Sequence, residues 1–262
     1  MTRRMPVLAA VVTAAIPLTA CFLGDGPLTA HESVLETRGL DPTGEFSLEN
    51  VNGGIAIATW SEPRVRIEAE KHALSSRALE RVRVEIDGEG YRVAVRTRVD
   101  RGGTFFGRSG KVDYRITLPS RARLELETVN GTVEVDGVTG RMRVECVNGS
   151  VRIRRAAGEV TASTVNGAIR ARYGPVEPGG RHRFSTTNGS IDVELPEKTG
   201  GRLEARTING RVTCDLPLES REGSRRRLEG RLGPGNDSFK LTTVNGSIRV
   251  RRGAEEARAE GS

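Results

Sequence analysis

Metal-binding side chains are scarce in this chain: three cysteines and three histidines are scattered over 262 residues. Structural zinc sites need four such ligands gathered in pairs, so that class is excluded. Aromatic residues are also few, with one Trp, three Tyr and six Phe. Sites for single-stranded nucleic acid stack bases on aromatic rings, which disfavours that function. No charge sign dominates either. Lys and Arg number 41 against 34 Asp and Glu, for a formal charge of +7. The result is a mixed surface with a basic lean. The long apolar run, Met5 to Ala20, has sixteen residues, short of the roughly 20 that span a bilayer.

That run follows Met1-Thr2-Arg3-Arg4, and a basic start before a short apolar stretch is an export signal. It ends Leu18-Thr19-Ala20-Cys21, which resembles the lipobox of bacterial lipoproteins. Cys21 is therefore the expected lipidation site, with 1–20 removed as signal peptide. Acyl chains of two or more anchor firmly, at about 0.8 kcal/mol per buried methylene. Phe22 in the next position points to the outer membrane, on its periplasmic or surface side, in a cell with two membranes. Residues 21–36 read as a tether, 37–120 as an N-terminal β region and cap, 121–252 as a repeat region and 253–262 as a charged, disordered tail.

What the chain has in quantity is Asn-Gly. The pair occurs seven times, at Asn52-Gly53, Asn130-Gly131, Asn148-Gly149, Asn166-Gly167, Asn188-Gly189, Asn209-Gly210 and Asn245-Gly246, with spacings of 78, 18, 18, 22, 21 and 36. Counting each Asn as position zero, −4, +3 and +5 are mostly apolar, −2 is usually Thr, and −3, −5, +4 and +6 are largely charged or small polar. Alternation of period two on both arms predicts strands flanking a turn. Asn-Gly suits successive positive φ angles at such a turn. Position −1 is β-branched in all seven copies, which favours a corner that turns −1 into the core. The fold expected is all-β: a solenoid of stacked Asn-Gly coils capped by N-terminal antiparallel strands. An up-and-down β-meander or sandwich is the alternative. In the solenoid, Cys146 and Cys214 lie about three coils apart, roughly 14 Å at the usual strand spacing, too far for a disulfide. Residues 221–237 read as a polar loop replacing one unit, and 71–79 as a short helix.

The run Val112 to Val135, VDYRITLPSRARLELETVNGTVEV, and the closing run Leu232 to Val250, LGPGNDSFKLTTVNGSIRV, resemble the bacterial putative-adhesin family of β-strand-repeat envelope proteins. The likeness covers about 40 to 252. It implies a right-handed β-helix-like fold, a surface location and no established catalytic residues.

The outward columns +4 and +6 carry the candidate ligand face: Arg152, Arg154, Arg170, Arg172, Asp192, Glu194 and Asp215. The plain reading is a solvated charge ladder worth a few tenths of a kcal/mol per opposite pair. A sharper reading lets Asp192, Glu194 and Asp215 on adjacent coils hold Ca²⁺ beside Arg170 and Arg172, as in a polysaccharide lyase groove. That would need a positioned base and charge stabilisation. A third lets the arginines, with Arg225 to Arg227, bind a polyanion or acidic glycan by charge. His182 and Trp60 read as packing residues. The expected function is a non-enzymatic envelope protein, an adhesin or scaffold, or else a module binding an envelope ligand or partner. No cofactor, resident metal or specific nucleic acid is expected.

Overall fold

The computed structural model describes residues 30–100, 110–175 and 179–253. Cys21, the expected signal peptide, all but the last residue of the Gly-rich segment 101–110 and the tail from 254 onward lie outside the described residues.

Among the described residues, twenty strands form two faces of a flattened solenoid and its caps. Each Asn-Gly marks a corner. The strand before it lies in one sheet, here the Glu face, and the strand after it in the other, the Arg face. Strands pair in parallel with the equivalent strand of the neighbouring coil, as Arg123–Asn130 does with Met142–Asn148 and Val133–Asp136 does with Val151–Ala156. Parallel pairing between coils excludes the meander, in which strands flanking each corner would pair with one another.

The side-chain columns explain why the stack closes. Leu126, Val144, Ala162, Phe184, Leu241 and Ala205 at −4 face Val133, Val151, Ile169, Ile191, Ile248 and Val212 at +3, all buried. Each column repeats at the strand spacing of about 4.8 Å, so one long core is built from identical layers. Position −2 is buried as well. Four of its threonines donate to a glycine carbonyl one coil away: Thr164 to Gly149 and Thr186 to Gly167 at 3.0 Å, Thr243 to Gly189 at 2.9 Å, Thr207 to Gly246 at 2.8 Å. Cys146 puts its thiol against Gly131 O in the same way, at 3.5 Å.

Two expectations about the corner are corrected. Position −1 faces solvent: Val129 and Val147 are 40% exposed, Val165 43% and Ile208 57%. The outward–inward alternation of the strand simply runs through −1, and the bend falls one residue later. The Asn-Gly pair is also not a run of positive φ. No corner Asn has one, and of the corner glycines only Gly53 and Gly131 do. Glycine is required by stacking: a Cβ at Gly167 would sit 2.0 Å from Gly149 O, and one at Gly189 1.9 Å from Gly167 O.

The corner asparagines form an unbroken ladder. Nδ2 of Asn130 donates to Oδ1 of Asn52, and the chain of side-chain bonds continues through Asn148, Asn166, Asn188, Asn245 and Asn209 at 2.7–2.9 Å.

The order of that ladder exposes a topological feature. The last unit in the chain, Asp237–Asn245 with Ile248–Arg252, lies between the units of Asn188 and Asn209. The first unit is likewise interior. It lies between the Asn130 coil and a parallel coil without Asn-Gly made by Gly90–Val99 and Lys111–Pro119. The segment 221–237 is therefore not a polar loop replacing a unit. Its core is a hairpin, Glu219–Gly223 with Arg227–Arg231, that runs antiparallel along Gly201–Asn209 and caps the C-terminal end. At the other end the antiparallel cap comprises Ala30–Gly39, Arg64–Ala73 and Val82–Asp87. The described part of the segment read as a tether, from Ala30 on, is strand, and the helix in this region is a single turn, Ser76–Leu79. Cys146 and Cys214 sit on opposite sheets four coils apart, and both are free.

Candidate functional site

The outward columns of the Arg face hold most of the residues singled out from sequence. In spatial order the +4 and +6 pairs run Glu134/Asp136, Arg152/Arg154, Arg170/Arg172, Asp192/Glu194 and Arg249/Arg251, followed by Thr213 and Asp215. Period-two alternation points them outward while their neighbours Val151, Ile153, Ile169 and Ala171 enter the core.

The threaded coil changes the chemistry read from sequence. Arg249 and Arg251 stand between Asp192/Glu194 and Asp215, so the three carboxylates are not on adjacent coils. The calcium and lyase-like readings built on that triad fall with it. Among the described residues no group of three His, Cys, Asp or Glu is placed to hold a metal ion.

Ion pairs run along the ladder. Arg152 binds Glu134 at 2.6 Å, Arg172 binds Glu194 at 2.5 Å and Arg251 binds Asp192 at 2.5 Å. Arg154 lies within 3.8 Å of Asp136. In the middle the pattern breaks. Arg152 lies directly against Arg170 on the next strand, and like charges opposite one another are destabilising. Asp192 on the other side of Arg170 is taken by Arg251. Arg170 has no ion pair among the described residues. A shallow groove passes over these pairs and is lined by Arg152, Arg154, Arg170, Arg172, Arg249 and Arg251 with Asp192 and Glu194. Six guanidiniums on a rigid sheet can hold an extended anion by multiple charge-assisted bonds. Arg225, Arg226 and Arg227 are elsewhere, at the hairpin turn of the C-terminal cap.

A second groove, unmarked by the sequence reading, crosses the Glu face. Its floor and rim include Glu49, Glu127, Glu145, Val51, Val129, Val147 and Val165. Burial raises the Glu127 pKa above its usual value, and the neighbouring carboxylates Glu145, Glu125 and Glu49 raise it further. Glu127 has no ion pair among the described residues, whereas Arg96 takes Glu49 at 3.1 Å and Arg143 pairs with Glu145. The −1 and −3 columns of the sequence carry this groove, and reading −1 as core hides it.

The remaining titratable groups are structural. His182 is buried at −6, accepts or donates one bond at 2.9 Å between Nδ1 and the Tyr173 hydroxyl, and stacks on Phe239 at 4.4 Å. Burial lowers its pKa to about 4. Asp237 accepts the amides of Gly179 and Gly180 at 2.7 and 2.9 Å. Burial raises both Cys146 and Cys214, which keeps them as unreactive thiols. Trp60 donates to Arg64 O at 2.7 Å under the Arg64 guanidinium, a packing role.

Among curated proteins none matches the chain. A solved structure described as a putative cell adhesion protein from Clostridium sporogenes is similar in fold, with a TM-score of 0.50, 11% identity, and coverage of 85% of this chain and 100% of that one. Another, described as a putative adhesin from Bacteroides fragilis, aligns with a TM-score of 0.31 at 10% identity, covering 84% of this chain and 97% of that one. The profile of the family described as Toastrack DUF4097 matches residues 45–251. With the stacked β-strand repeat and its corner ladder in place across that same span, the chain belongs to the Toastrack DUF4097 family.

Proposed function

We propose that this protein is a non-catalytic envelope component, anchored through a lipid on Cys21, whose Arg face engages an acidic envelope polymer and so serves adhesion or envelope organisation. The observation that carries this reading is the stacking of Arg152 directly against Arg170, with no acid between them and with Arg154 and Arg172 lining the same groove. A folded chain gains nothing from that arrangement, but an extended polyanion lying across the strands does. Support for adhesion comes from the Clostridium sporogenes protein described as a putative cell adhesion protein, whose fold this chain shares. The export signal and the lipobox-like Cys21 support the envelope placement and an outer-membrane address.

The test is a binding screen of the full chain in detergent against acidic and neutral glycans, together with probing of intact cells for surface access. Retention on acidic glycans and loss of retention in the Arg170→Glu/Arg172→Glu variant are expected. Binding to neutral glycans alone, or binding that the double variant leaves intact, contradicts the reading. Normal adherence of a deletion strain removes its adhesive half.

A further inference from the structure

Each face carries an electrostatic defect, and the two defects are complementary. On the Glu face, Glu127 lies among Glu49, Glu125 and Glu145 without an ion pair. On the Arg face, Arg170 lies beside Arg152 without one. Next to Glu127 runs a stripe of exposed valines, and large exposed apolar side chains in a row mark contact surfaces. The equivalent column at the edge of the Arg face is small: Thr132, Ser150, Ala168 and Ser190 at position +2.

Both faces belong to one solenoid, so their ladders share a single rise of about 4.8 Å per coil. A copy moved by pure translation therefore keeps column against column: −1 over +2, −3 over +4 and −5 over +6. Only the stagger along the stack is free, and charge selects it. With a shift of two coils, Glu127 meets Arg170 and Glu49 meets Arg152. In the neighbouring column Glu125 meets Arg172 and Arg143 meets Glu194. Val129 falls over Ala168, with Val51 over Ser150 and Val147 over Ser190. One like-signed match remains, Glu145 over Asp192, and both already hold an arginine of their own chain.

We infer that the Glu face of one copy docks on the Arg face of a second copy of this chain in parallel orientation, staggered by two coils. The surfaces joined are different, so the contact is heterologous and repeats from copy to copy rather than closing a dimer. The contact shares Arg152, Arg170 and Arg172 with the proposed polymer groove, whereas Glu127 lies on the opposite face, so Glu127→Arg tests self-association without altering the polymer groove.

Sedimentation velocity of the full chain in detergent micelles tests this, over about a hundredfold range of concentration at low salt. Mean size is expected to grow with concentration and to fall when salt is added. Glu127→Arg alone and Arg170→Glu alone should each weaken association by about tenfold or more, since like charges then face each other. An equimolar mixture of the two variants should recover it, because each defective face finds its complement on the other chain. A single micelle-bound monomer at every concentration overturns the inference. So does association indifferent to either substitution, or no recovery on mixing.

Discussion

The corner asparagines and the valines that precede them have opposite roles, although both recur in nearly every unit. Asn166 sits in mid-ladder, donating to Asn148 and accepting from Asn188. Asn166→Ala removes two side-chain bonds and leaves two partners without theirs. A loss of about 1–2 kcal/mol is expected, from a net worth near 1 kcal/mol per bond. Val165 next to it is 43% exposed, and Val165→Thr keeps the β-branch. A change below about 0.5 kcal/mol is expected there. Urea unfolding of the two variants checks the contrast, and equal losses would mean that −1 is core after all. His182 makes a pH prediction. Its pKa is lowered by burial to about 4 from 6.5. Above pH 6.5 the group is neutral in both folded and unfolded chains and costs nothing. As pH falls from 6.5 to about 4, the unfolded chain binds a proton that the folded one refuses. Stability is then lost progressively, by up to about 3 kcal/mol, with no further loss from this group below that range. His182→Leu, which matches Leu124 and Leu203 in the same column, should flatten this part of a pH series of unfolding curves. An unchanged slope would assign the acid sensitivity to other groups.

At the scale of strands and coils, the order of coils departs from the order of the chain. Inward and outward columns were readable residue by residue, because period-two alternation is a local property. Hence −4, −2, +3 and +5 read as interior and the charged pairs as exterior, and the structure agrees. Position −1 is ambiguous in the sequence because β-branched residues suit any parallel strand, exposed or buried. The threading of Ile248–Arg252 between Ile191–Leu195 and Val212–Cys214 could not be read at all. Every unit carries the same columns, so any order of coils satisfies the pattern equally well. The spacing of 36 between the last two Asn-Gly pairs was the one hint, and it hides a hairpin cap. The consequence is measurable by hydrogen exchange. A solenoid stacked in chain order frays at its last unit. Here the amides of Ser238 to Asn245 bond on both sides to neighbouring coils, so they should exchange more slowly than those of Val212 to Cys214 at the edge. The reverse order of protection would contradict the threaded arrangement.

On the scale of the whole molecule, the solenoid is a rigid bar with two unlike faces. Its caps are antiparallel and charged, as in the fully exposed Glu219–Gly223 edge, which guards against edge-to-edge pairing. Contact with partners is thereby left to the faces. The seven candidate residues fared unevenly for the same reason that the coil order did. Arg152, Arg154, Arg170, Arg172, Asp192 and Glu194 fall on one groove, while Asp215 is displaced by the inserted Arg249 and Arg251. On the function proposed above, the Arg face recognises an extended polyanion. The direct measurement is the affinity of the full chain for an acidic polysaccharide at low and half-molar salt, with and without Arg152→Glu and Arg170→Glu together. Tight binding at low salt that is weakened strongly by half-molar salt and abolished by the paired substitution is predicted. Affinity that survives both the salt and the substitutions would contradict it.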